Sequence, residues 1–174
     1  LDGKQETLDL GLFSTRNYVS VSHRIGKWIL SGKLGMDARR QQINNHLWSL
    51  LMPYAEPALQ REFGSHKLDG TLRVSYQRRQ YDRNVQQGVC FEPTVRWNWK
   101  LSPTSSMLVY YRLSASPMQG TKVVDAPVYT SYRSQYVGTG IPDVQLSHTV
   151  SGTYSYRNPV YGLFFSINPV FTRS

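Results

Sequence analysis

Four histidines, His23, His46, His66 and His148, are the residues of this 174-residue chain best suited to base catalysis or metal binding. They are scattered, with no HExxH and no other paired spacing, so they make neither a zinc site nor a general-base motif. The carboxylates Asp37, Glu56, Glu62 and Glu92 fall on or near polar rows beside arginine and lysine. There they read as charge partners rather than as an acid–base pair. No Ser/His/Asp constellation and no glycine-rich phosphate loop is legible. Cys90 is the single cysteine, which excludes an internal disulfide and a multi-cysteine metal site. The chain reads as a non-enzyme without catalytic residues, cofactor or metal.

Binding chemistry has more support. Lys33, Asp37, Arg39, Arg73, Arg96 and Arg112, with Lys100 and Arg157, form a cation-rich set on alternate positions of extended segments. Such a wall could attract anionic ligands or pair with another protein element. The formal charge of +9 invites a nucleic-acid reading. Its spread along the chain, with only the doublets Arg39-Arg40 and Arg78-Arg79, argues against one. Trp28, Trp97, Trp99, Tyr154, Tyr156, Phe165 and Phe171 suit a sugar-stacking platform or, more economically, the aromatic girdles of a membrane barrel. Tyr129, Tyr132 and Tyr136 lie in a long loop and are the candidates for ligand or partner contact.

The elements that position these residues announce themselves by period two. In Phe91–Leu101 every odd position (Phe91, Pro93, Val95, Trp97, Trp99, Leu101) is apolar and every even one polar. This is an extended strand with one apolar and one wet face. Strands with the same pattern are predicted at 7–13, 18–24, 27–40, 54–63, 71–80, 107–113, 146–157 and 163–171, which makes nine. The segment Lys27–Arg40 would be over ~40 Å long at about 3.3 Å per residue. Globular strands centre on five or six residues, whereas tilted membrane strands need about nine to eleven. Glu56-Pro57-Ala58-Leu59 is echoed 36 residues later by Glu92-Pro93-Thr94-Val95, and Phe63 by Trp99. The two segments read as equivalent strands of one meander.

The connections sort by parity. One set is Ile25-Gly26, Gly64–Gly70, Ser102–Ser105 and Asn158–Gly162, all short. The other is Ser14–Arg16, Gln41–Leu51, Tyr81–Gly88 and the thirty residues of Ser116–Gln145, and it includes every long loop. Short turns on one side and long loops on the other are the habit of outer-membrane barrels. No apolar run approaches the roughly 20 residues of a membrane helix. The chain starts at Leu1 without methionine and stops at Ser174 just after a strand-like segment, so residues 1–174 read as one barrel segment of a longer chain.

Lys100-Leu-Ser-Pro-Thr-Ser-Ser-Met-Leu-Val-Tyr-Tyr-Arg112 resembles the turn and strand of TonB-dependent receptor barrels, in particular those of Bacteroidota outer-membrane proteins. Tyr132-Arg-Ser, Gly138-Thr-Gly-Ile-Pro-Asp143 and Ser147-His148, running into Tyr154–Pro159 and Gly162–Phe165, are similar to the loop and hairpin that follow. Gly140-Ile-Pro-Asp-Val144 keeps the Gly, Pro and Asp of the family's Gly-Asn-Pro-Asp-Leu but has Ile141 for its Asn. The resemblance spans about residues 17–174. It implies a 22-stranded barrel with an N-terminal plug, energised by TonB; no plug or TonB box is recognisable in this chain.

The expectation is therefore an all-β, antiparallel transmembrane β-barrel segment of about nine strands, an up-and-down meander in the outer membrane. It would contact lipid, and a plug domain and TonB would be its partners. Its lumen, lined by Lys33, Asp37, Arg39, Arg73, Arg96 and Arg112, and its long outer loops would handle ligand uptake. The rival is a soluble all-β sandwich or jelly roll that binds glycan or a protein.

Overall fold

A computed structural model describes residues 10–43, 46–117, 128–131, 134–136 and 143–173. Every regular element among them is a strand. β1 (Leu10–Ile25), β2 (Trp28–Ile43), β3 (His46–Phe63), β4 (His66–Tyr81), β5 (Asn84–Lys100) and β6 (Ser105–Pro117) pair in succession as an antiparallel meander. β7 (Val128–Ser131) and β8 (Ser134–Tyr136) form a separate two-stranded hairpin. β9 (Val144–Asn158) returns to β6, and both β10 (Leu163–Ile167) and β11 (Val170–Arg173) lie along β9. The main sheet has nine strands. Because β10 and β11 continue one another, they fill eight places across it. The sheet is open: β1 pairs only with β2, and β10 and β11 only with β9.

The main sheet has nine strands, the number predicted, but they are differently cut, and β7 and β8 are two more. Ser14–Arg16 is no connection: β1 runs straight through it, and Arg16 pairs with Asp37. Gln41–Leu51 is no loop either, since β2 reaches Ile43 and β3 starts at His46. The turns expected at Ile25-Gly26, Gly64–Gly70 and Tyr81–Gly88 shrink or shift to Gly26-Lys27, Gly64-Ser65 and Asp82-Arg83. Their first residues have φ of 61°, 58° and 48°, the left-handed region that glycine enters freely and aspartate tolerates. Ser116–Gln145 is not structureless, because it carries β7 and β8.

These differences recast the loop asymmetry. Apart from the long excursion between β6 and β9, the connections at both ends of the sheet are short. What differs is how far the strands run past the apolar band. At one end the turns follow directly on Trp28, Phe63, His66 and Trp99. At the other, strands continue three or more residues beyond Arg40 and Arg78.

Alternation along each strand and the cross-strand register give the sheet two chemically opposite faces. One carries Phe13, Val19, Val21, Leu30, Leu34, Leu59, Leu72, Val89, Phe91, Val95, Val150 and Phe171, all of them exposed. Val19 is 72 % accessible, Leu34 67 % and Phe171 67 %, so the apolar face spans the sheet from its first strand to its last. On β2 the band spans the twelve residue steps from Trp28 to Arg40, and on β4 the twelve from His66 to Arg78. Twelve steps of about 3.3 Å make about 40 Å along a strand, or about 28–33 Å in projection at tilts of 35–45°.

The register supplies a tilt. The centre of the band is Leu34 on β2 and Leu72 on β4, whereas the residue level with Leu34 on β4, through Ala55, is Val74. A drop of two residues across two strand spacings corresponds to a tilt of about 35°.

The other face is polar in its lower part and buried in its upper part. Trp48, Leu50, Met52 and Tyr54 on β3, Ser75, Gln77, Arg79 and Tyr81 on β4, and Asp37 on β2 are all buried there. The ladder between β5 and β6 stops at Thr94↔Arg112. Above that point β6 pairs with β9 alone and leans over this face: the Gln77 side-chain amide donates to the Ala115 carbonyl at 3.4 Å. Pro53 and Pro57 are tolerated inside β3 because the β3–β4 ladder lapses beside each of them.

Candidate functional site

The polar face carries the ordered charge. Lys33, Glu56, Arg73 and Glu92 fall level on β2, β3, β4 and β5, so their signs alternate across the sheet. Opposite charges on directly facing residues stabilise the pairing. Lys33 Nζ donates to Glu56 Oε1 at 3.2 Å, and Arg73 Nε stands 3.8 Å from Glu92 Oε2. Arg73 also reaches diagonally to Asp37, donating from Nη2 to Oδ2 at 3.2 Å, while Arg16 Nε donates to Oδ1 at 2.9 Å. The Asp37 side chain is 2 % exposed and has a cation on each oxygen. An isolated carboxylate could not be buried so deeply; a paired one can.

Tyr54 makes this reach possible. Its ring lies under the Arg73 guanidinium, 3.9 Å from it, and over Gly35 on the neighbouring strand. A Cβ at residue 35 would stand 2.6 Å from the Tyr54 ring and hydroxyl and 2.7 Å from the Asn17 carbonyl, so only glycine fits. At its far edge the network holds the leaning β6, because Glu92 Oε1 accepts from the Ala115 N–H at 3.0 Å.

All six residues predicted to share this face do so. Asp37 and Arg73 join one ion-pair network with Arg16 and Glu92, and Lys33 pairs separately with Glu56 beside it; Arg39 stands above them, and Arg96 and Arg112 below. No ion pair joins Arg39, Arg96 or Arg112 to a carboxylate among the described residues. Tyr129 and Tyr136 fall on the two strands of the β7–β8 hairpin, opposite Gln135 and Val128. Tyr132 lies outside the described residues. Sequence reading missed Arg16, assigned to a connection, and Tyr54 with Gly35. The parity of Ser20 and Tyr18, continued upward, would have put Arg16 on the polar face.

Above the network the buried polar atoms outnumber their partners. Among the described residues, Trp48 Nε1, Ser75 Oγ, Gln77 Oε1 and two nitrogens of Arg79 find no hydrogen-bond partner. Arg79 Nη1 has Asp143 at 3.9 Å, at the start of β9. Most of these are donors, so a polar solute or water bearing acceptors fits them.

The apolar face has its own ordered feature at the end with the tight turns. Phe63, His66, Trp99 and Trp97 stack in a ladder with ring centroids 5.2–5.8 Å apart. Trp97 Nε1 donates to His66 Nδ1 at 3.3 Å, and Phe165 packs between Tyr154 and Tyr156. A glycan platform would sit on the wet face; these rings edge the apolar band instead.

At the opposite end the Asp82-Arg83 turn is pinned to β3. Asp82 Oδ1 accepts from the Leu47 N–H at 2.9 Å, and Oδ2 lies 2.7 Å from His46 Nδ1. Partial burial works to raise the Asp82 pKa, but the hydrogen bonds from His46 and Leu47, with the charge of His46, outweigh it and leave the pKa lowered.

Comparison of the chain with protein-family models, with curated proteins and with solved structures finds no match.

Proposed function

We propose that this chain is the wall of an outer-membrane β-barrel of TonB-dependent receptor-like type, with its apolar face on lipid and its charged face on a water-filled lumen through which a ligand is taken up. The observation that carries the reading is the exposed apolar face, continuous from β1 to β11. Soluble monomers rarely expose more than a few hundred square ångströms of contiguous apolar surface, so this one requires a cover. A bilayer accounts for the width of the band as well as its existence: aromatic rings border one side and Arg40 and Arg78 the other, about one hydrocarbon thickness apart. Both unpaired edges are then joined, to each other or to further strands, as membrane burial of backbone groups demands.

Uptake is the inference from the lumenal side. The fixed ion pairs around Asp37 leave Arg39, Arg96 and Arg112 to attract an anionic ligand, and the long β6–β9 excursion lies at the end where strands overshoot the band. A soluble sandwich would need a second layer over the same apolar face, with no reason for charged and aromatic borders at membrane spacing.

Adjacent residues on opposite faces test this directly. Val95 and Arg96 are both exposed in the sheet. With Cys90 replaced by Ser and the protein in lipid vesicles, a water-soluble maleimide should label Arg96→Cys and spare Val95→Cys until detergent is added. Equal labelling of both before detergent would refute the membrane reading.

A further inference from the structure

Arg61 is a cation on the wrong face. The register places it in the row Ile25, Trp28, Arg61, Leu68, Trp97 and Val109, where every other member is apolar. Its guanidinium lies 4.4 Å from the Trp28 ring centre and 5.8 Å from that of Phe63. Its Nε is buried and has no hydrogen-bond partner among the described residues. Among the described residues no carboxylate meets it. The nearest acid in sequence, Glu62, points to the opposite face and stands 3.7 Å from Lys67.

Ring stacking of this kind leaves the edge donors of a guanidinium free while fixing its plane. The charge therefore sits pre-oriented at the border of the apolar band, beside exposed Leu59, Phe63 and Leu68. An arginine at that depth needs an oxygen anion, and the anion that a bilayer offers there is the headgroup phosphate, whose paired oxygens match the guanidinium fork.

We propose that Arg61, held by Trp28 and Phe63, binds the phosphate of a phospholipid headgroup, with the acyl chains lying along Leu59 and Leu68. The site rests on the barrel reading above. Its test is a lipid competition: the protein is reconstituted in vesicles of equal phosphatidylglycerol and phosphatidylcholine, and the lipids it retains on gentle extraction are counted by native mass spectrometry. Wild type should retain phosphatidylglycerol preferentially, and Arg61→Gln should lower that preference about fivefold, the equivalent of about 1 kcal/mol for one basic residue at an anionic surface. An inserted Arg61→Gln protein with the wild-type preference overturns the proposal. Should that variant not insert, Arg61→Lys is the second arm: it keeps the charge but not the planar stack, and an undiminished preference there also overturns it. Inorganic phosphate should not displace the bound lipid; if it does, the site is one for free phosphate and the lipid assignment is wrong. A chain that stays in the aqueous phase instead refutes the barrel reading itself, a separate outcome.

Discussion

Arginine substitutions along the apolar face of β2 should trace the depth of a bilayer. Leu34 lies six residues from Trp28 and six from Arg40. Six steps are about 20 Å of strand, or about 14–16 Å along the membrane normal at 35–45° of tilt, which on the proposed reading would put Leu34 at the midplane of a core about 30 Å thick. Arginine on the lipid face of a barrel costs about 2–4 kcal/mol at the midplane and about 0–1 near the interfaces. Leu34→Arg should therefore lower the folded-to-unfolded ratio by roughly 30- to 1000-fold. Leu30→Arg and Ala38→Arg, nearer the two borders, should cost clearly less. Ser31→Arg, on the polar face, should cost under ~1 kcal/mol, as surface changes generally do. The assay is urea unfolding in vesicles followed by tryptophan fluorescence. A protein layer over this face would give penalties set by local packing. A profile that is flat, or that peaks at Leu30 or Ala38, refutes both the midplane assignment and the membrane reading.

Three further outcomes follow from the polar face and the turns. Asp37→Asn leaves two arginines facing an uncharged amide and should cost about 3 kcal/mol, whereas Arg16→Ala, removing a cation whose side chain is 56 % exposed, should cost under ~1 kcal/mol; denaturant titration of both variants decides. Gly35→Ala should cost about 1–3 kcal/mol by overpacking. In the same titration Tyr54→Ala should restore only part of the loss, because the Asn17 carbonyl still stands 2.7 Å from the new Cβ. Asp82→Asn should destabilise at neutral pH and progressively less in acid. The lowered Asp82 pKa means that its contribution is present above the ordinary carboxylate value of 3.8 and is lost as pH falls through the lowered one. Wild-type and variant unfolding midpoints that differ equally at pH 7 and pH 2 would contradict this.

Period two was legible only where one face of a strand meets the apolar band. Within it, the strand assignments for Leu30–Ala38, Leu72–Tyr76 and Phe91–Trp99 needed nothing beyond the alternation. Past the upper border the two faces become alike, and the signal disappears. In β3 the inward Trp48, Leu50 and Met52 are buried and apolar while outward Leu47 and Leu51 are apolar too, so a strand looks like an unpatterned hydrophobic stretch. Around Asp82 both faces carry Gln and Arg, so the hairpin tip of β4 and β5 looks like a polar loop. The charge row was readable as a set of lumenal candidates. Its pairing was not, because alternation gives a side and never a level; only the register puts Arg73 between Glu56 and Glu92. The leaning of β6 onto Glu92 through a backbone N–H carries no side-chain signature at all.

The pairing arithmetic that sets those levels also makes the sheet extensible. Residue r of β3 stands level with residue r + 36 of β5, so Glu56 matches Glu92 and Phe63 matches Trp99. A tandem copy of residues 48–83 would add one β-hairpin and advance every later strand by two places, with no change of register. The inserted Glu56 and Arg73 would extend the sequence of alternating charges, and the inserted Phe63 and His66 would lengthen the aromatic border. A sheet with this property can widen by whole hairpins, the first and last strands still running in opposite directions and still able to meet edge to edge. On the barrel reading proposed above, circumference would thereby be uncoupled from thickness: a membrane would dictate the length of a strand, while the number of copies would decide how large a solute the enclosed space admits.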